Sequence, residues 1–198
     1  MEIIKFDIDE LKRKEDGFSF YILGRSYDLE ENGCPQDYKK AIEYYYKGMN
    51  INDPLCEYSI GISYILGLGD VLQVDLRKGD MLLKRAYPKI LKMLDDDNLS
   101  FDEKVYARFV IGAYNYFGLG SVSEDKKKAF QIISQCAEDG HIAAIYDLGA
   151  NFYYNGVGCT KDIKKAKKYL AIAMEAGLVR AEKKYHEYQF DKNFKNKK

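Results

Sequence analysis

Ala144-Ile-Tyr-Asp-Leu-Gly149, Asn155-Gly-Val-Gly158 and Asp162-Ile-Lys-Lys-Ala166 follow one another in the last third of the chain, and each recurs upstream. The apolar–glycine pair stands at Leu23-Gly24, Ile60-Gly61, Ile111-Gly112 and Leu148-Gly149, with steps of 37, 51 and 37 residues. The Asp-led signature stands at Asp37-Tyr-Lys-Lys-Ala41, Asp75-Leu-Arg-Lys-Gly79, Asp125-Lys-Lys-Lys-Ala129 and Asp162-Ile-Lys-Lys-Ala166. It lies 13, 14, 13 and 13 residues after the glycine. Between the two come glycine turns: Asn32-Gly33, Gly67-Leu-Gly69, Gly118-Leu-Gly120 and Gly156-Val-Gly158. Two markers held in phase over four copies define an internal repeat.

Each copy reads as helix A, glycine turn, helix B. In the last helix B, Ile163, Ala166, Tyr169, Leu170, Ala173 and Met174 share one helical face, while the lysines fall mostly elsewhere. The Asp that opens each signature is a natural N-cap. A glycine inside helix A costs about 1 kcal/mol relative to alanine, so its recurrence points to close helix–helix approach. The small residue of the second signature is expected to serve the same contact from helix B. The step from copy two to copy three is longer. Its extra residues run from Pro88 to Val105, with Ser100-Phe-Asp-Glu103 at capping-box spacing. We expect two lengthened helices there, with Pro88 in the first turn of a continuing helical segment. They would form a projecting hairpin over residues 88–104 with its tip at Asp95–Asn98.

The expected architecture is therefore all-α: a right-handed α-solenoid of about four helix–turn–helix repeats with a C-terminal capping helix. One array spans residues 1–190, with repeats at about 17–52, 53–99, 100–140 and 141–177 and the capping helix at 178–190. The polar, basic tail 191–198 is expected to be disordered. Residues 1–16 are expected to add a short helix, with Ile3, Ile4, Phe6, Ile8 and Leu11 covering the first copy.

The pattern of apolar-Gly, aromatic, glycine turn and Asp-x-x-Lys-Ala at this period resembles the Sel-1-like repeat family, most clearly in Ala144–Gly149, Asn155–Gly158 and Asp162–Ala166. The resemblance covers roughly residues 17–177. It implies tetratricopeptide-like αα-hairpins stacked into a right-handed superhelix. It also implies adaptor work, in which proteins or peptides are bound within larger assemblies. The cysteine-rich secreted branch pairs cysteines between adjacent helices. Cys136 sits near such a position, but residues 141–149 hold no cysteine, so this branch's disulfides are not expected.

Composition bounds the function. The 198 residues are 46% apolar and 31% charged, with 31 basic and 31 acidic side chains. That balance argues against nucleic-acid binding, which calls for a basic face. The longest uncharged run, Phe109 to Ser123, is 15 residues and too short for a bilayer, which needs roughly 20 apolar residues. Charges at Lys5, Asp7, Asp9 and Glu10 break the first apolar stretch, unlike a signal peptide. The four cysteines, Cys34, Cys56, Cys136 and Cys159, include no CxxC pair and are read as reduced and mostly structural. A cytoplasmic location is expected, as a monomer or weak dimer, with no membrane insertion.

No catalytic constellation is visible. The two histidines, His141 and His186, belong to no HExxH motif and have no partner at metal-ligand spacing, so no metal and no cofactor is expected. His141 is read as solvated or capping. The Gly-x-Gly turns join helix to helix, whereas phosphate loops of the Rossmann and Walker kinds follow a strand. The lysine-rich signatures are read as solvated helix faces and Asp95-Asp-Asp97 as a solvated tip.

What remains is aromatic. Much of the excess of 18 tyrosines follows the repeat. Three residues before each helix-A glycine stand Tyr21, Tyr58, Phe109 and Tyr146. By resemblance to tetratricopeptide-like arrays, helix A lines the concave face. The expected partner groove there comprises Tyr21, Arg25, Tyr58, Ile62, Ile65, Tyr106, Phe109, Tyr116, Tyr146 and Tyr153. The expected function is a non-catalytic adaptor holding a protein or peptide in that groove. The alternatives are binding through the hairpin 88–104, or an enzyme with an unrecognised nucleotide or hydrolase site. A further possibility is that the N-terminal segment or the long hairpin fills the groove itself.

Overall fold

The computed structural model describes residues 2–190. In chain order its helices are α1 (Ile8–Lys14), α2 (Gly17–Leu29), α3 (Tyr38–Asn50), α4 (Pro54–Leu66) and α5 (Leu76–Met93). They continue as α6 (Phe101–Phe117), α7 (Lys126–Glu138), α8 (Ile142–Asp147), α9 (Ile163–Glu175) and α10 (Val179–Glu187). A π-helical segment, Leu148–Tyr153, continues α8 without a break. Among the described residues the one extended pairing is the single bridge between Leu68 and Leu72. The four helix–turn–helix units are α2–α3, α4–α5, α6–α7 and α8–α9, an α-solenoid as the repeat predicts. The expected tail 191–198 lies outside the described residues.

The signatures act as their chemistry requires. Asp37, Asp75, Asp125 and Asp162 each accept a backbone N–H three residues on, at 3.1, 2.9, 2.9 and 2.9 Å, and so start every B helix. The backbone N–H of the same four aspartates donates to the A helix of its own hairpin, at Tyr27, Tyr64, Asn115 and Tyr153. One residue thus sets both where helix B begins and how it leans on helix A. The glycine of helix A allows that lean. A Cβ on Gly149 would lie 2.9 Å from the Leu170 amide nitrogen and 3.0 Å from the Ala166 carbonyl oxygen. In the second unit a Cβ on Gly79 would lie 2.8 Å from the Gly61 carbonyl oxygen, so two glycines face each other across that crossing.

The π-helical segment has a sequence cause. Seven residues separate Gly149 from the turn glycine Gly156, whereas six separate Gly61 from Gly67 and Gly112 from Gly118. The extra residue is absorbed as a wider turn inside helix A, and the following loop is one residue shorter than in the third unit.

The long insertion lengthens two helices, as expected: α5 has 18 residues and α6 has 17, against 13 in α3 and α4. Ser100 caps α6 in a complete capping box with Glu103. Pro88 falls in the interior of a continuous α5 rather than in a first turn. The Tyr114 hydroxyl donates to the Leu83 carbonyl at 2.8 Å, in the stretch that a proline loosens. Ile90 is buried, and Met93 and Leu94 pack on the core, so the extension lies mostly against the array.

The two ends of the array meet. Glu31, in the first turn, accepts from Arg180 of α10 at 3.1 Å across 149 residues of chain, and Lys183 reaches Glu30 at 3.1 Å. The N-terminal segment closes the same seam. Its Ile4 amide donates to the Gly140 carbonyl, and Phe6 packs edge-on against Phe18 and Tyr106. Residues 2–7 form no helix and bridge the first unit to the third and to the junction before the fourth. Only Ile8–Lys14 is helical.

Candidate functional site

The candidate site is assembled from A-helix residues that flank the repeat glycines. At one end, Arg25 stands one residue after Gly24, where the other copies have Ile62, Ala113 and Ala150. Its guanidinium lies 5.9, 5.8 and 5.7 Å from the ring centroids of Tyr21, Tyr106 and Phe109 and is 8% exposed. A charge held so dry needs a counter-charge. Glu31 supplies it with both carboxylate oxygens, at 2.9 and 3.0 Å, and is itself 5% exposed. Glu31 also takes Arg180, whose guanidinium sits 4.8 Å from the Tyr146 ring.

His141 completes this cluster. It is fully buried, stacked on Phe109 and tilted against Tyr106, both with centroids at 4.2 Å. Its Nδ1 accepts from the Ala144 amide at 3.2 Å and caps α8. The capping role therefore holds and the solvated one does not. Burial, with Arg25 and Arg180 nearby, pushes its pKa well below the usual histidine value. The imidazole is neutral, with its proton on Nε2.

Two cavities open beside this cluster and share Tyr58. One, of about 220 Å³, lies between α2 and α4 and is lined by Tyr21, Arg25, Asp28, Tyr58, Ile62 and Leu66, among others. The second, of about 180 Å³, lies among α4, α6, α7 and α8 with its π-helical continuation. Its walls include Tyr58, Phe109, Tyr116, Phe117 and Phe152, and Asp147 is its one charged lining residue. Burial raises the Asp147 pKa to about 6, against the opposing pull of Arg180 and Arg25. The π-helical turn places Asn151 so that its Nδ2 donates to Asp147 Oδ1 at 3.0 Å. The rims are apolar and open: Leu66 is 72% exposed and Phe117 63%.

The ten residues expected to form a groove divide accordingly. Tyr58, Phe109 and Tyr116 come together around the second cavity; Tyr21, Arg25, Tyr58 and Ile62 meet around the first. Tyr21 and Tyr106 are almost fully buried and act as walls for Arg25. Tyr146 lies beneath Arg180. Ile65 packs at the Gly61–Gly79 crossing. Tyr153 turns away, stacking on Tyr169 of α9 at 5.6 Å. The segment expected to cover the first copy occupies part of the inner face through Phe6, so the groove is partly filled by the chain itself. Asp147, Glu31 and Asn151 were not among the expected residues. Yet Asp147 stands two residues before its glycine, where Ile22, Ser59 and Val110 stand in the other copies. Glu31 stands seven after its glycine, where Leu68 and Leu119 stand in copies two and three. A charge that breaks the repeat's phase was the available signal.

Among the described residues no group of three or more His, Cys, Asp or Glu is arranged to hold a metal ion, and no helix is long and apolar enough to cross a membrane. Cys34, Cys56, Cys136 and Cys159 are unpaired thiols, the first three buried.

Stacked helical hairpins with a shared small-residue crossing and an aromatic inner face define a helical-repeat solenoid. The Sel1 repeat model matches residues 21–48, 105–141 and 142–178, over half of the chain, and the protein belongs to the Sel1 repeat family. Sel1 repeat proteins are generally protein-interaction modules and non-catalytic. The second unit, with Gly79 in place of alanine and one more residue before its Asp, lies outside the matched stretches yet folds as the others do.

Similar solved structures include a protective antigen of uropathogenic Escherichia coli displaying an SLR fold. It is 22% identical, with 89% of this chain and 35% of that chain covered and a TM-score of 0.43. Another is a Sel1 repeat protein from Oxalobacter formigenes, 23% identical, with 88% and 72% covered and a TM-score of 0.44. This chain spans about a third of the antigen's length. A search of curated proteins finds no match.

Proposed function

We propose that this chain is a non-catalytic adaptor that holds a segment of a partner protein along the concave helix-A face, centred on Tyr58. The observation that carries this reading is the pair of cavities sharing Tyr58, each bounded by an exposed apolar rim residue, Leu66 on one side and Phe117 on the other. Large apolar side chains left in water beside a concave, aromatic-lined surface are the physical mark of a docking site. Beyond Leu66, the second turn continues the apolar lip with Val71, Val74 and Leu76, all exposed. The partner is a protein or peptide rather than a nucleic acid or membrane, and the chain acts as a monomer or weak dimer in the cytoplasm. The balanced charge and the absence of a recognisable catalytic motif support those choices. The hairpin 88–104 is the weaker surface, because Ile90, Met93 and Leu94 are packed and Leu91 and Phe101 are the large apolar groups it exposes.

The test uses the exposed rims, which can be changed without touching the core. Affinity capture from the native host is compared between the wild type and a Leu66→Asp/Phe117→Asp variant. The variant is expected to melt within a few degrees of the wild type and to lose the proteins that the wild type enriches, by tenfold or more. Equal enrichment by the folded variant would contradict the groove.

A further inference from the structure

We infer that the 180 Å³ cavity is a receptor for a lysine side chain of the partner protein, with Asp147 as its counter-charge. The inference rests on the proposed groove and names what enters it. Five aromatic residues, Tyr58, Phe109, Tyr116, Phe117 and Phe152, contribute to its walls, and Asp147 is the one ionisable group among the lining residues able to hold a charge near neutral pH. Aromatic faces attract cations through their ring quadrupole, most strongly where water is excluded. A carboxylate at the same site adds the charge-assisted hydrogen bond that fixes an ammonium in place.

The local charge count agrees. Arg25 and Arg180 are opposed on this face by Glu31, Asp28 and Asp147, while His141 is neutral. Two positive and three negative groups leave one negative charge unmatched, since Lys126 on the Tyr116 wall is itself paired with Glu124 at 3.2 Å. Glu31 is committed to the two arginines, and Asp28 accepts from the Tyr45 hydroxyl at 3.2 Å. Asp147 makes no ion pair within 4.0 Å among the described residues; its hydrogen bond comes from the neutral amide of Asn151. Asp28 likewise makes no ion pair among the described residues; of the two carboxylates, Asp147 is the one that lines this cavity. Burial keeps its pKa raised despite the pull of Arg180 and Arg25, so a cation in direct contact would still stabilise its ionised form.

The geometry selects lysine over arginine. Asn151 already occupies Asp147 Oδ1, which leaves Oδ2 without a partner among the described residues. A guanidinium fork is best matched by two free carboxylate oxygens, whereas a compact ammonium needs one. The wall already receives an ammonium of its own: Lys126 Nζ stands 3.9 Å from the Tyr116 ring centroid.

The test is a ¹H–¹⁵N NMR titration of the full chain at pH 7.5 with n-butylammonium, a mimic of the lysine side chain. The neutral 1-butanol and n-butylguanidinium are run in parallel. The expected result is saturable shifts of the amides of Ala113, Tyr116, Asp147 and Phe152. Affinity should be at least tenfold higher for butylammonium than for butanol, and higher than for butylguanidinium. Asp147→Asn keeps the side-chain shape and an oxygen that can accept from Asn151, and is expected to remove the preference over butanol while leaving a dispersed spectrum. Equal binding of butanol and butylammonium, tighter binding of the guanidinium, or an unaltered preference in the folded variant would overturn the lysine assignment. So would the absence of any shift with butylammonium. None of these results bears on the rim variant above, whose loss of partner capture tests the groove itself.

Discussion

Replacing Glu31 with glutamine is expected to lower the stability of the fold by about 3 kcal/mol. For a domain of this size that corresponds to a fall in Tm of roughly 6–12 °C. The substitution is isosteric and lies in a turn, a place where sequence alone predicts almost no effect. The structure predicts otherwise because Glu31 is 5% exposed and carries both Arg25 and Arg180. Neutralising it leaves the Arg25 guanidinium buried among Tyr21, Tyr106 and Phe109 without its bidentate partner. The cost arises chiefly from that stranded charge, so it should shrink when the charge is removed as well. In an Arg25→Met background the same Glu31→Gln change is expected to cost about 1 kcal/mol or less, because the remaining partner, Arg180, is 28% exposed and can turn to water. Urea unfolding of the four proteins in this cycle measures both numbers. A Glu31→Gln cost that is small, or equal in the two backgrounds, would show that the buried Arg25 guanidinium does not depend on Glu31 as its counter-charge.

The second large effect is predicted at a glycine. Gly149→Val is expected to destabilise the fold by about 3 kcal/mol, although helix propensity alone favours valine slightly over glycine. Two signs compete, and packing decides. Even the first carbon of a side chain at this position would stand 2.8 Å from Leu170 Cγ, 2.9 Å from the Leu170 nitrogen and 3.0 Å from the Ala166 carbonyl oxygen. Two of these neighbours are backbone atoms of α9 and cannot turn aside as a rotamer can, so α8 and α9 must separate. The separation also strains the Asp162–Tyr153 backbone hydrogen bond that zips this hairpin. A urea midpoint at or above that of the wild type would show that close approach is not what keeps glycine at this position.

The hairpins were legible in the sequence because their determinants are local and recur. An Asp three residues before the amide it caps, and a glycine where two helices cross, each act within one repeat, and four copies make the pattern plain. The capping box at Ser100 was equally readable, since all its parts lie within four residues. Pro88 was harder: the same residue type is suited to a first turn and tolerated in a long helix, and only packing around Leu83 and Ile90 selects between them. The candidate site was only partly legible. The resemblance to tetratricopeptide-like arrays implied that Tyr58, Phe109 and Tyr116 face inward but could not tell an open wall from a filled one. Tyr106 fails for that reason, because Phe6 from the N-terminal segment packs against it. Tyr153 fails for another: the extra residue that makes the π-helical segment rotates the end of that helix toward α9. The seam between Glu31 and Arg180 spans 149 residues and leaves no periodic trace. Its trace lies in the charges that interrupt the repeat, Arg25, Glu31 and Asp147. Each takes a place held by uncharged residues in the other copies.

The central claim, that the helix-A face receives the partner, is tested most directly by site-specific photo-cross-linking in the native host. A benzophenone amino acid is placed at Phe117, on the rim of the Asp147 cavity, and separately at Lys168, on the exposed face of α9. The account predicts a discrete cross-linked protein band from position 117 and none from position 168, with the 117 band lost when Leu66→Asp is added. The same band from both positions, or a band from 168 alone, would contradict it.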